Sequence, residues 1–277
     1  MKYITNMKII IFDLDETLGY FVEFGMLWDS ILKVSGKHEF TQEEFNAILD
    51  LYPEFIRPNI INILNYLKKK KQTKSCHKIM IYTNNQGPSK WADHISSYFE
   101  TKLRTKLFDQ TVRAFQIGGK QIELNRTTHD KTYTDLIKCT QIPTSAQICF
   151  LDDVYHPEMA HDNVYYINLK PYIHDIPLDE LVERFIQAEA EATDKAEATD
   201  KASATDKAEA TDKASRLLSE LQKFEHKYIE KTYEETEIDQ IVGKEIMSHL
   251  HIFFNQTQTQ KRGRKGPSGS RKRKESE

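Results

Sequence analysis

The chain has 277 residues, 39% hydrophobic and 29% charged, enough for one good α/β core with appendages or for two small domains. No run of about 18 apolar residues exists, and acids follow the apolar start where a cleavage site would stand, so neither a membrane span nor a signal peptide is expected. The formal charge of −3 is divided unevenly: the last 17 residues hold eight Lys/Arg and two Glu, a balance of +6, leaving −9 on the first 260.

The first predicted element, KIIIFDLDE, is an apolar, β-branched run that ends in acids. It reads as a buried parallel strand with Asp13 at its carboxyl end. Residues from about 20 to 70 have a helical pattern. TQEEFNAILDLY carries a cap at Thr41 and apolar positions at Phe45, Ile48 and Leu51. IRPNIINILNYLKKKK starts at a proline and ends in lysines, as a helix does. A second buried strand, KIMIYTNN (78–85), precedes a turn at Gly87-Pro88 and a helix, SKWADHISSYFETKL. VRAFQIGGKQIEL predicts a β-hairpin about Gly118-Gly119. A helix is expected to open near Asp130-Lys131. QICFLDD is the third buried strand and VYYINL the fourth, with LDELVERFIQ as a closing helix. This alternation predicts an α/β fold with a doubly wound parallel sheet over residues 1–187.

From 188 to 215 the six-residue unit AEATDK recurs. It offers no apolar side chain beyond Ala and reads as a linker, disordered or in part a solvated helix, that sets distance. Beyond it, 216–256 carries two amphipathic patterns, Leu217, Leu221, Phe224, Tyr228 and Ile238, Val242, Ile246, Leu250. These two helices are expected to pair as an ordinary helical hairpin, packing back on the core or dimerisation being the alternatives. Residues 257–277 form a basic tail. The three cysteines, Cys76, Cys139 and Cys149, are widely spaced, which predicts no disulfide and a reducing compartment. No CxxC or His/Cys cluster suggests zinc, so any metal is expected to be held by oxygen.

Parallel sheets bind ligands beyond the carboxyl ends of their strands. Asp13, Asp15, Thr83, Asp152 and Asp153 all fall at predicted strand ends, so one site could collect them. The pattern Asp13-Leu14-Asp15-Glu16-Thr17 suits phosphate monoester hydrolysis, among the slowest of uncatalysed reactions. A carboxylate nucleophile at Asp13 would be repelled by the phosphoryl group unless Mg²⁺ bridged them. Asp15 is placed to protonate the leaving alkoxide and later to take a proton from water. Thr17 would brace the loop. The Thr83 hydroxyl with the backbone N–H of Asn84 makes a compact phosphate clamp. A cation is then needed. Lys120, Lys131 and Lys138 compete; Lys131, at the expected helix start after Thr-His-Asp, is preferred over Lys120 in the hairpin turn. Asp152-Asp153, adjacent acids at a buried strand end, require positive charge, which Mg²⁺ and Lys131 would supply.

These four motifs, in this order, resemble the haloacid-dehalogenase superfamily. The finer resemblance is to its FCP/SCP branch (NLI-interacting-factor-like), the phosphatases of the RNA polymerase II C-terminal domain and their relatives, members of which also occur in large DNA viruses. It spans residues 8–186. IIIFDLDETL is similar to the nucleophile segment, FIRPNIINIL to an Arg-Pro-Gly helix start with Asn59 in place of Gly, and YTNNQGPSKWAD to the Thr-Ala-Ser…Lys-Tyr-Ala-Asp stretch. HDKTYTDL, FLDD and HDNVYYI are similar to the later motifs. The resemblance implies a Rossmann-like fold with a small cap or none, Asp13 as nucleophile, Asp15 as acid/base, and Thr83 and Lys131 as phosphate ligands. It implies Mg²⁺ held by Asp13, the Asp15 carbonyl and Asp153, with Asp152 alongside, and a phosphoserine or phosphothreonine protein as substrate. TNNQG departs from the branch and is similar to polynucleotide 3′-phosphatases of the same superfamily, whereas Glu16 and KWAD favour the protein phosphatases. A 3′-phosphatase and a non-catalytic scaffold are therefore the alternatives. The tail KRGRKGPSGSRKRK reads as a nuclear-localisation signal or nucleic-acid contact, or as a plain solubilising end, so a nuclear or cytoplasmic location is expected.

Overall fold

A computed structural model describes residues 7–88, 90–197 and 204–256. These form a mixed α/β fold with one five-stranded parallel sheet, a two-stranded hairpin and eight α-helices among the described residues.

The sheet grows from β1 (Lys8–Phe12), buried at every position. Strand β2 (Lys78–Tyr82) pairs on one side of it and β6 (Gln147–Asp152) on the other, both parallel. Outside these lie β3 (Gln110–Val112) and β7 (Val164–Asn168), giving the order β3-β2-β1-β6-β7. The chain builds outward from β1 in one direction, then returns to build in the other. The reversal opens a crevice at the carboxyl ends of β1 and β6, where both strands end in acids.

Alternate strand residues serve opposite faces. Ile10, Phe12, Ile79, Ile81, Cys149 and Leu151 face the larger layer, which contains α1 (Phe21–Ser35), α2 (Gln42–Asp50), α3 (Ile60–Gln72) and α4 (Trp91–Leu103). Ile9, Ile11, Met80, Tyr82, Ile148 and Phe150 face α5 (Tyr133–Thr140). Local signals explain the helix ends. Thr41 and Glu44 close a capping box on α2, and α1 stops at Gly36, whose φ of 66° ends the helix in the left-handed conformation. An aromatic cluster seats α4: the Phe45 ring meets Phe24 at 5.4 Å and Trp91 at 5.6 Å, both edge to face.

The hairpin is β4 (Gln116–Ile117) and β5 (Lys120–Gln121), turning on Gly118 and Gly119, both at positive φ as a two-residue turn requires. Its outer pairs continue from Ile122 to Phe115 and from Glu123 to Ala114. Val112 is not part of it. It is drawn into the main sheet as the end of β3, because its backbone carbonyl accepts from Thr83 N at 3.0 Å and its side chain fills the α5 face. Helix α5 opens at Tyr133, with Thr132 as its cap, so Lys131 precedes the helix instead of starting it.

Helix α6 (Leu178–Glu197) crosses residue 187 and carries the first repeats as regular helix. Helix α7 (Ala204–Gln222) carries the last ones into the segment with Leu217 and Leu221, both buried. The two helices pack together and α7 also packs on α1, with Lys213 Nζ 2.6 Å from Glu189 Oε1. The repeats in these parts thus build surface on the core. Phe224 and Tyr228 lie beyond the end of α7 and are more than one-third exposed. Helix α8 (Tyr233–Asn255) packs elsewhere, on α3 and β7, burying Ile246, Leu250 and Phe253. The two helices pack back on the core separately, the arrangement that stood as an alternative to the hairpin. The basic tail, 257–277, lies outside the described residues.

Candidate active site

Asp13 extends β1 by one residue, its N–H bonded to Leu151 O of β6 at 2.8 Å, which sets the side chain at the mouth of the crevice. The next residues form a tight loop. Glu16 takes a φ of 55°, and its N–H reaches Gly19 O at 2.7 Å. Gly19 is required there, since a Cβ would lie 2.4 Å from Phe55 O. Arg57, 1% exposed, holds the loop from below: Nε donates to Thr17 O at 2.7 Å and Nη2 to Glu16 O and, at 2.8 Å, to Lys170 O. Thr17 Oγ1 donates to Asp153 Oδ1 at 2.9 Å. Thr17 therefore braces the loop across the crevice to the end of β6.

Lys131 is buried in the crevice, 2% exposed, where Nζ contacts Asp13 Oδ1 and lies 2.6 Å from Asp152 Oδ2. Burial pulls its ammonium down, but the two carboxylates hold its pKa above the ordinary value. Lys120 and Lys138 make no such contact. Lys120 is exposed in the hairpin, and Lys138 lies on α5, half-exposed, 3.9 Å from Asp135. Asp152 uses both oxygens, one for Lys131 and the other for the Val154 N–H at 2.9 Å. It serves to position the lysine. Asp153 Oδ2 accepts no hydrogen bond among the described residues.

Asp13, Asp152 and Asp153 each present an oxygen within 4.8 Å of the other two. With Asp15 nearby, four carboxylates face one lysine, and such a set calls for further positive charge. Burial pushes the Asp13 carboxyl up against the pull of Lys131, and pushes Asp15 up to about 7, where the Asp13 charge adds to the effect and an Asn85 hydrogen bond opposes it. Asp15 Oδ1 is buried with no partner among the described residues. All donors are oxygens, which suits a hard divalent cation.

Thr83, 2% exposed, follows β2 at the opposite rim, its Oγ1 accepting the Asn85 N–H at 2.9 Å. The Asn84 side chain turns away to accept Arg126 Nη2 at 2.7 Å, so only the Asn84 backbone could serve a bound anion. Asn85 Nδ2 donates to Asp15 Oδ2 at 2.8 Å. A cleft of about 480 Å³ opens beside Thr83 and Asn85, walled by Pro88, Arg113, Ile117, Lys120 and Ile122.

Four further contributors, Arg57, Asn85, Arg126 and His156, carry no sequence signal of their role here. Arg57 was legible only as a helix-start motif. Asn85 lay inside the clamp motif without a role of its own. Arg126, 1% exposed, ties Thr83 O and Asn84 to the carbonyls of His129 and Asp130, locking the strand end to the segment that carries Lys131; a single arginine in a loop gives no periodic signal. His156, 7% exposed, places Nε2 3.7 Å from Asp152 Oδ2, and burial and the Lys131 charge lower its pKa to about 4, which keeps it neutral. The crevice can thus hold an oxygen-liganded cation next to one ammonium, a carboxylate and a second carboxyl poised near neutrality. Comparison with known proteins gives no match to any family description, curated protein or solved structure.

Proposed function

We propose that this chain is a Mg²⁺-dependent phosphatase of the haloacid-dehalogenase type that hydrolyses phosphoserine or phosphothreonine in proteins through an aspartyl-phosphate. The observation that carries the reading is the meeting of Asp13, Asp15, Thr83, Lys131, Asp152 and Asp153 at one crevice, from four separate segments.

Asp13 and Asp153 would hold the cation, which supplies charge neutralisation between nucleophile and phosphate. Lys131 and the Thr83 hydroxyl bind phosphate oxygens, with Lys131 kept in place by Asp152. An Asp13 oxygen attacks phosphorus as the ester P–O bond breaks, and the departing alkoxide takes the proton of Asp15. Because Asn85 occupies Asp15 Oδ2, Oδ1 is the atom left to carry that proton. Asp15, now ionised, takes a proton from water; the resulting hydroxide attacks the phosphoryl group and cleaves its bond to Asp13. Inorganic phosphate leaves and both carboxyls are restored.

A phosphorylated heptad of the RNA polymerase II C-terminal domain is the first peptide to test, and a nuclear site of action belongs to the same reading. The purified chain with Mg²⁺ is assayed on p-nitrophenyl phosphate, the phospho-heptad peptide and a 3′-phosphorylated oligonucleotide. Turnover of the first two, abolished by chelation, is expected. A preference for the oligonucleotide would move the proposal to a polynucleotide 3′-phosphatase. Inactivity on all three would leave a binding or scaffold role.

A further inference from the structure

Outside the Asp13 crevice the fold gathers another set of metal-ligating side chains. Glu23 sits in the first turn of α1, Asp175 in the irregular segment after β7, and His226 in the irregular segment after α7. One ligand atom from each lies within 4.8 Å of the other two. His226 Nε2 is 3.1 Å from Asp175 Oδ1 and 3.9 Å from Glu23 Oε1. These separations bracket the edge of a tetrahedron whose metal–ligand bonds are about 2.0–2.1 Å, an edge of about 3.3 Å.

A second, independent observation points to a ligand. Glu23 is 0% exposed, yet both its oxygens share a single donor, the Ile176 N–H, at 3.3 and 3.2 Å. A carboxylate has room for about four such contacts. Asp175, 8% exposed, accepts the Ile229 N–H at 3.1 Å on its other oxygen. No lysine or arginine pairs with either acid among the described residues. With both carboxylates ionised, as metal binding requires, the set is at least one positive charge short. Burial, with the charge of Asp175 beside it, raises the Glu23 carboxyl to about 8, although the Ile176 N–H pulls it down.

We propose that Glu23, Asp175 and His226 form a second metal site, specific for Zn²⁺ or a cation of its class, which clasps the turn after α7 to α1. Imidazole with two carboxylates suits Zn²⁺ and Co²⁺, in contrast to the oxygen-only set around Asp13, and water would fill the fourth position. The site would join the C-terminal helices to the first helix of the core. It does not depend on the phosphatase reading.

The test uses the full chain, stripped with chelator and returned to excess Mg²⁺, then titrated with Co²⁺ and Zn²⁺. One equivalent of Co²⁺ is expected to give the visible bands of a four-coordinate site, displaced by Zn²⁺, and Zn²⁺ should raise the midpoint of thermal unfolding. Glu23→Gln, which keeps the shape of the side chain, and His226→Ala, at a partly exposed position, should each weaken Zn²⁺ binding by about a hundredfold and abolish the bands. Asp13→Asn should leave both unchanged. Absence of Co²⁺ and Zn²⁺ binding in Mg²⁺, or binding that survives both Glu23→Gln and His226→Ala, would overturn the assignment.

Discussion

At the scale of single residues, the crevice places costly groups where chemistry can use them. Asp13 is buried beside an ammonium and two further acids. Asp13→Asn should therefore lower kcat by about 10³-fold or more, while thermal unfolding shows no loss of stability, since a buried charge is removed. Asp15→Asn should cost about 10²–10⁴-fold, the range of a single proton donor. His156 gives a separate pH signature. Its folded pKa, about 4, lies below the ordinary histidine value of about 6.5. Between these values the unfolded chain binds more protons than the folded one, so stability rises with pH and is lost on acidification from about 6.5 towards 4. The loss attributable to His156 should be on the order of 1–3 kcal/mol and should shrink in His156→Gln, as urea unfolding of the chelated protein at a series of pH values would reveal.

At the scale of elements, α8 matters through where it rests. Gly243 lies against the start of α3, where an added Cβ would meet Pro58 O at 2.7 Å and Asn59 Cβ at 3.0 Å, and Asn59 Nδ2 donates to Gly243 O at 2.9 Å. Gly243→Ala should cost about 1–3 kcal/mol in urea unfolding, although Ala is the better helix former by about 1 kcal/mol. Arg57 stands next in sequence, so a displaced α8 should also loosen the loop that carries Thr17. Asp239 of α8, paired with Lys231, adds its charge to the environment of Arg57. None of this was legible in the sequence, where Gly243 reads only as a weak point in a helix. What was legible has short-range causes: short apolar runs for β1, β2, β6 and β7, a Thr-x-x-Glu cap for α2, and two glycines for the hairpin turn. Strand β3 has only three residues, QTV, too little pattern to compete with the hairpin that follows. The end of the repeats sets Ala214 of α7 against the core, a use that composition does not disclose. Likewise the candidate site was legible in its acids, Thr83 and Lys131, which stand at strand ends or beside a helix. Its support from Arg57, Asn85 and Arg126 depends on long-range closure.

At the scale of the whole molecule, the C-terminal helices are part of the core and not an appendage beside it. Leu217, Leu221, Ile246, Leu250 and Phe253 join the larger hydrophobic layer with the strands and α1–α4. A chain ending at residue 232 would bare the groove on α3 and β7, and is expected to show a lowered unfolding midpoint and self-association in light scattering. Lys8 opens β1 and spends its ammonium on the last turn of α8, donating to Phe253 O at 2.7 Å, Phe254 O at 2.9 Å and Gln256 O at 3.0 Å. Asp13 lies at the other end of the same strand. Helix α8 thus finishes at the opposite pole of the sheet from the carboxylates, and its last turn anchors the far end of the strand that presents Asp13.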